Sequence, residues 1–359
     1  MTIMDAKILN QILEIAFQKK VSDVHFEVDN PPFFRGKGQI IRSRLPLLTS
    51  KDTEFIVNTI LEFNGKTLDE NLHEIDTSYA LPNGGRFRVS IFRQRGHFGI
   101  VMRVIPPYIS TFEELNLPDV LAEIIKAPTG LILVTGPTGN GKSTTLAAMM
   151  RYLTENFTYN IITIEDPIEF LFTSNKSCII QREIGIDTES YDKALKSALR
   201  MDPDVIMVGE LRDKETIDSC MKASETGHLV LSTLHTQGAV STIHRIIGNF
   251  PPESQEIVRQ RLADVLVATI SLRLVKDKTG DNILPVVEIM RSTTTIQACI
   301  REGRLDEIEK HIENGQTQYS MQTMDQHLVQ LFQEDKITIA DAKRLSHSMD
   351  LERKLTFTS

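Results

Sequence analysis

Cysteine is scarce in this chain: there are three in 359 residues, Cys178, Cys220 and Cys299. They are widely spaced, odd in number and part of no C-x-x-C or Cys/His cluster, so neither a disulfide framework nor a zinc site is indicated. Long apolar runs are missing too, and no stretch approaches the length of a transmembrane span. The opening MTIMDAKILNQILEIAFQKK carries apolar residues at helical spacing (Ile8, Leu9, Ile12, Leu13, Ala16, Phe17). Acidic and amide residues interrupt it, unlike the core of a signal peptide. Positive charge is not in excess, and a formal net charge of −8 argues against a general nucleic-acid binder, which would carry a basic face. There is no internal repeat and no low-complexity tract. These absences point to the cytoplasm, with no direct membrane insertion and any membrane association running through partners.

What is present is ordinary for a globular protein, at 41% hydrophobic and 25% charged residues, and the length suggests two domains. Residues 1–105 read as a small α+β domain. A helix leads into an alternating strand at 21–27, and a hairpin at 33–41 turns around Gly36 and Gly38. A helix at 53–63 follows a Thr49/Ser50 cap, and a second hairpin pairs 76–81 with 86–92 through Pro82-Asn83-Gly84-Gly85. One more strand is expected at 100–105. Pro106-Pro107 opens a linker at 106–117. From 118 to 359, apolar runs at 131–134, 161–164, 205–208, 229–232 and 284–289 alternate with helices. That pattern implies a mostly parallel sheet covered on both faces, and the chain from Thr293 onward reads as wholly helical.

The most informative segment is LILVTGPTGNGKSTTLAAMM. Gly136, Pro137, Thr138, Gly139, Asn140, Gly141, Lys142 and Ser143 fit G-x-x-x-x-G-K-[ST], between an apolar strand and a helix opened by Thr144. Glycines let the backbone wrap phosphates with its N–H groups turned inward, and the helix dipole favours the anion. Lys142 is placed to reach the β- and γ-phosphates and Ser143 to ligate Mg²⁺. A glycine turn that merely joins strand to helix is the bland alternative, and strand, Lys-Ser and helix together weigh against it. A nucleoside triphosphate is the expected ligand. No histidines or carboxylates fall at the spacing of a protein-held metal site, so Mg²⁺ carried by the nucleotide is the only metal implied.

Hydrolysis also needs carboxylates. Two strands end in acids: ITIEDPIE, with Glu165 and Asp166, and VIMVGE, with Glu210. The usual apolar-run-then-acid pattern fits the first better, since the second has glycine where an Asp is expected. Strand ends converge at the carboxyl edge of such a sheet, so one acid faces the metal and the other lies near it, unless both only cap the helices that follow. In TGHLVLSTLHT, His235 lies just past a strand, where it can sense a γ-phosphate. His228 precedes that strand, belongs near its opposite end, and is as readily structural. In RFRVSIFR, Arg86 and Arg88 share one strand face while Phe87, Val89 and Ile91 share the other. Two guanidiniums without nearby acids suit a phosphate, although spacing alone favours a solvated strand face.

Together these pieces resemble the hexameric secretion ATPases and, within them, the type IV pilus retraction (twitching motility) ATPases of PilT/PilU type. VSDVHFE, RFRV, GPTGNGKSTTLAAM, ITIEDPIEF, DPDVIMVGELRD and TGHLVLSTLHT follow the family's order over nearly the whole chain. The resemblance implies an α/β protein with an N-terminal PAS-like α+β domain and a C-terminal RecA-like P-loop ATPase domain bearing a helical extension. It implies Glu210 as the carboxylate that activates water, with Glu165 and Asp166 supporting metal and phosphates. His228 and His235 are implied at nucleotide and subunit contacts, and Arg86 and Arg88 approaching the nucleotide from the N-terminal domain. The implied cofactors are ATP and Mg²⁺. The implied partners are a homohexamer, an inner-membrane pilus platform protein and a paralogous retraction ATPase, at the cytoplasmic face of the inner membrane. The principal retraction type usually carries a helix close to A-I-R-N-L-I-R-E. Here it reads TIQACIRE, with Gln297 in place of an arginine, and the tail SMDLERKL resembles the accessory type. Pilus assembly and type II secretion ATPases commonly have longer N-terminal regions and a four-cysteine zinc insert, and this chain has neither. A RecA-type nucleic-acid translocase and a regulatory nucleotide-binding module without turnover are the readings from other classes.

Overall fold

The structure, a computed structural model, describes residues 4–346 apart from 37, 70 and 83. The tail SMDLERKL lies outside the described residues, as does Asn83 of the second hairpin turn. The described residues fall into two compact units. One takes the chain up to Tyr108 together with Asp166–Leu171 and Glu183–Glu189; the other takes Ile109–Glu165, Phe172–Arg182 and Ser190 onward.

In the first unit, helix α1 (Ala6–Gln18) precedes strands β1 (Asp23–Phe26), β2 (Phe33–Gly36) and β3 (Gln39–Arg42). Helix α2 (Ser50–Phe63) then leads to β4 (Glu74–Ala80), β5 (Arg86–Gln94) and β6 (His97–Ile105). The six strands form one antiparallel sheet in the order β3-β2-β1-β6-β5-β4. Helix α2 starts where the sequence places a cap: Thr49 and Asp52 form a reciprocal capping box, worth about 1 kcal/mol. Asp52 is fully buried, and its other oxygen accepts from the Met4 backbone N–H at 2.8 Å, tying the chain before α1 to α2. Leu9, Leu13, Ile56, Ile60, Phe26, Phe87, Val89, Ile91 and Ile100 fill one core between the helices and the sheet.

The second unit opens with α3 (Val120–Ile124), β7 (Gly130–Thr135), α4 (Lys142–Asn156) and β8 (Asn160–Glu165). It continues through β9 (Cys178–Glu183), whose last residue groups with the first unit, then α5 (Tyr191–Ala198), β10 (Val205–Val208) and α6 (Lys214–Glu225). Next come β11 (Leu229–Leu234), α7 (Ala239–Gly248), α8 (Gln255–Val265), β12 (Leu266–Lys276) and β13 (Ile283–Arg291). The helices α9 (Thr294–Glu302), α10 (Ile308–Asn314), α11 (Gln316–Tyr319), α12 (Met324–Gln333) and α13 (Ile339–Leu345) complete it, as the helical reading of the C-terminal stretch expects.

The sheet order is β13-β12-β7-β11-β10-β8-β9. Pairing is parallel from β12 through β8, and β13 runs antiparallel to β12. Every residue of β7, β10 and β11 is buried, so both faces of these strands are covered. Two strands were not legible in the sequence. β12 follows α8 without a glycine or proline between them, so its apolar residues merge with those of the helix. β9 is a sheet-edge strand with mixed exposure and no clean alternation.

Candidate active site

The glycine-rich loop sits at the carboxyl end of β7, and α4 begins at Lys142. Gly136 is required twice over. Its φ is +143°, and a Cβ there would lie 2.4 Å from the Leu272 carbonyl oxygen of β12. Gly141, at φ +83°, is the left-handed residue that turns the loop into the helix. Asn140 has a scaffolding position: its Oδ1 accepts from the Leu274 N–H at 2.9 Å, which pins the loop to β12.

Lys142 is buried. Its ammonium donates to the carbonyls of Gly136 (2.8 Å) and Pro137 (3.2 Å), folded back over the loop. It also approaches Nδ1 of His235 at 3.4 Å, and the Thr138 hydroxyl lies 3.3 Å from the same nitrogen. On the far side of the ring, His235 Nε2 is 3.1 Å from Glu210 Oε1. An ammonium can only donate, so Nδ1 accepts and Nε2 carries the proton that Glu210 receives. Arg212 Nε holds the other Glu210 oxygen at 3.0 Å. A line of polar contacts therefore runs from the loop lysine through His235 to Glu210.

The sheet order decides which acid meets the loop. β10 lies two strands from β7 and β8 lies three, about 10 and 14 Å away at the usual strand spacing. Glu210, beyond β10, is thus nearer than Glu165, at the end of β8. The turn after β10 is fixed to β11 by Thr233, whose hydroxyl donates to the Gly209 carbonyl at 2.7 Å, and by the Leu211 N–H on the Thr233 carbonyl at 3.0 Å. Glu165 is buried and accepts from Thr163 (2.7 Å) and Gln181 (3.1 Å). Ser143 and Thr144 stand in the first turn of α4.

His228 is not brought to the loop. It precedes β11 at the amino end of the sheet, where its Nδ1 lies 2.9 Å from the Ala223 carbonyl and 3.2 Å from the Thr226 hydroxyl, at the end of α6. The arginine strand alternates as expected, with Phe87, Val89 and Ile91 fully buried. The expectation that Arg86 and Arg88 lack nearby acids is corrected. Arg86 pairs with the buried Glu183 at 2.5 Å and donates to the Ser78 hydroxyl at 3.1 Å, while Arg88 lies 3.7 Å from Glu169. Glu183 is 97 positions away in sequence, which is why spacing could not reveal it. Asp166 and Glu169 belong to the same unit as these arginines, whereas Glu165 belongs to the unit of the phosphate loop.

The family described as Type II/IV secretion system protein matches residues 3–353. The chain belongs to the Type II/IV secretion system protein family. Among relatives in that family, it is 41% identical to the type IV pilus retraction ATPase PilT of Pseudomonas aeruginosa, over 93% of this chain and 97% of that protein. It is 38% identical to the type IV pilus ATPase PilU of the same organism, over 94% and 88%. The fold superimposes on a crystal structure of the pilus retraction motor PilT with bound ADP, at a TM-score of 0.86 and 39% identity, covering 96% of this chain and 99% of that one. The architecture is thus that of a secretion-family ATPase: an N-terminal domain followed by a RecA-like domain.

Sequence reasoning missed several polar contacts in this unit. Gln181 and Thr163 orient Glu165, and Arg273 donates to Gln237 at 2.5 Å beside the His235 turn. Thr135 donates to Ser271 at 2.9 Å, and the buried Glu288 accepts from the first N–H of α7 at 2.7 Å. Burial and the neighbouring Glu309 and Asp325 push the Glu288 carboxyl above the ordinary carboxylate range. Thr163 lies inside ITIEDPIEF and Thr135 just before the glycine loop, and the others lie in no recognisable motif. Only the undetected strands β9 and β12, had they been drawn, would have placed Gln181, Ser271 and Arg273 at this edge.

Proposed function

We propose that this chain is a Mg²⁺-dependent, ATP-hydrolysing motor that retracts type IV pili by driving pilin depolymerisation, as in twitching motility. The observation that carries the proposal is the continuous line Lys142–His235–Glu210 over the glycine loop. Similarity to a retraction ATPase along nearly the whole chain supports the choice of pili as the object moved.

In this reading the Lys142 ammonium exchanges the Gly136 and Pro137 carbonyls for β- and γ-phosphate oxygens. Loop N–H groups and the α4 dipole add to the anion site. Glu210 orients and deprotonates the attacking water, which adds in line to the γ-phosphorus. The bond to the β–γ bridging oxygen breaks, and ADP leaves with the electron pair. His235 touches both Lys142 and Glu210, so the presence of the γ-phosphate is conveyed to the water-activating group. The oxygen donors Ser143, Glu165 and Glu210 suit Mg²⁺, a hard cation, which when bound neutralises phosphate charge. Arg86 and Arg88 act on phosphate only if their ion pairs with Glu183 and Glu169 open. The motor works as a homohexamer at the cytoplasmic face of the inner membrane, on a platform protein of the pilus machine. Among the described residues no helix is long and apolar enough to cross a membrane.

A second reading, an accessory retraction ATPase dependent on a paralogue, is favoured by Gln297 on α9 and by the similarity to PilU. One experiment separates them. A strain lacking its own retraction ATPases is complemented with this chain alone, and pilus retraction is scored beside the ATP turnover of the purified protein. Retraction together with turnover supports the principal reading, and turnover without retraction supports the accessory one. Absence of multiple-turnover phosphate release overturns both.

A further inference from the structure

No residue spacing signals a protein-held metal site, yet the fold assembles one set of donors. Cys299, Glu307 and His311 each offer one ligand atom, and the three atoms lie within 4.8 Å of one another. This is the one such group among the described residues. From the geometry we infer that the hairpin of α9 and α10 binds a divalent transition metal of the zinc class through Cys299 Sγ, a ring nitrogen of His311 and a carboxylate oxygen of Glu307.

The local structure explains how the donors meet. Cys299 sits in the last turns of α9, and Gly303, at φ +76°, closes that helix in the left-handed conformation. The Arg304 N–H returns to the Cys299 carbonyl at 2.9 Å, so the chain doubles back at once. Glu307 stands at the N-cap position of α10 and His311 follows four residues later, so both side chains share one face of that helix. The two segments therefore offer donors from opposite sides of a short turn, and 12 positions of sequence collapse to one coordination sphere.

The donor types select the metal. A thiolate, an imidazole and a carboxylate are the sulfur, nitrogen and oxygen ligands of Zn²⁺, while an all-oxygen set would suit Mg²⁺ or Ca²⁺. Cys299 is fully buried, His311 half-buried and Glu307 exposed, so the site opens to solvent on the carboxylate side. That leaves a fourth position for water. On binding, the Cys299 thiol loses its proton to solvent as the metal–sulfur bond forms. Arg304 pairs with Glu307 and, at 2.7 Å, with Glu302, so metal binding takes the Glu307 oxygen from a guanidinium that Glu302 continues to hold. The metal acts as a clasp that fixes α9 against α10, apart from the phosphate loop and its chemistry.

The test uses the full chain, stripped by chelation and titrated with Co²⁺ in the absence of nucleotide and Mg²⁺. The expected result is a thiolate-to-cobalt charge-transfer band that saturates at one metal per chain and is bleached by Zn²⁺. Cys299→Ser should abolish the band and Cys178→Ser, at an exposed cysteine, should leave it. Because a change at buried Cys299 risks the fold, His311→Ala and Glu307→Gln are the deciding variants. Each should weaken Co²⁺ binding by about tenfold or more, the range seen even for outer-shell changes, while ATP turnover persists. No band in the unaltered protein, an unchanged affinity in His311→Ala, or loss of the band in Cys178→Ser overturns the inference.

Discussion

Charged side chains meet in two quite different settings in this protein. At the carboxyl edge of the seven-stranded sheet, His235 is 48% exposed and Glu210 21% exposed, and Arg212 on its other side is 55% exposed. In the N-terminal unit, Arg86 is 20% exposed and its partner Glu183 only 1%. The first set is open to solvent, which screens its charges, so its pairs cost little to open. The second set cannot open cheaply, because a carboxylate without its cation would be stranded in a low-dielectric interior. Similar residue types serve a working site in one place and a structural tie in the other, and solvent access decides which.

Substitutions should pull the two settings apart. The largest effect is expected from Glu210→Gln, which keeps the shape of the side chain but removes the base. Turnover should fall by about 10³-fold with thermal stability nearly unchanged, as read by phosphate release and by calorimetry. A matching loss of stability would show that the edge is not the permissive setting described. Arg86→Ala should do the reverse, costing about 3 kcal/mol in denaturant unfolding because Glu183 is left buried and unpaired. Arg88→Ala, whose pair with Glu169 spans 3.7 Å between more exposed groups, should cost under about 1 kcal/mol. If Arg88→Ala nonetheless abolishes turnover, the phosphate role proposed for that strand is supported.

A buried neutral group extends the comparison to pH. His327 on α12 accepts from the Val287 N–H at 2.8 Å, and burial pushes its pKa down to about 4 from an ordinary 6.5, with a smaller upward pull from Glu334 and a smaller downward push from Lys336. A lowered folded-state pKa means the folded protein binds fewer protons than the unfolded chain between these values. Its contribution is therefore complete above about pH 6.5 and is lost as pH falls toward 4, about 3 kcal/mol in all. Unfolding curves across that window should flatten in His327→Gln. The smallest contrast lies along one strand. His235→Ala should slow turnover by about 10- to 100-fold, whereas His228→Ala, whose ring lies against the end of α6, should change turnover in a monomeric preparation by under about threefold. A large effect of His228→Ala confined to the assembled ring would place it at a subunit contact.

The parts of the site that were legible in the sequence are those built by neighbouring residues. The glycine loop, its Lys142 and Ser143, and the placement of His235 and His228 at opposite ends of a strand all follow from local spacing. The cap of α2 at Thr49 and the inward face of Phe87, Val89 and Ile91 follow in the same way. Reading failed where a contact joins separate elements: Arg86 with Glu183, Gln181 with Glu165, Leu274 with Asn140, and the approach of Cys299 to His311. It failed as well for β12, which no breaker separates from α8.

By itself, then, the sequence determined that a phosphate cradle lies between a buried strand and a helix. Close-range backbone geometry demands glycine and lysine at fixed offsets, and only such a turn satisfies both. Which acid faces the cradle and whether the arginines are already paired were decided by tertiary structure. Those outcomes depend on strand order and burial, which arise when segments far apart in the chain exclude water together.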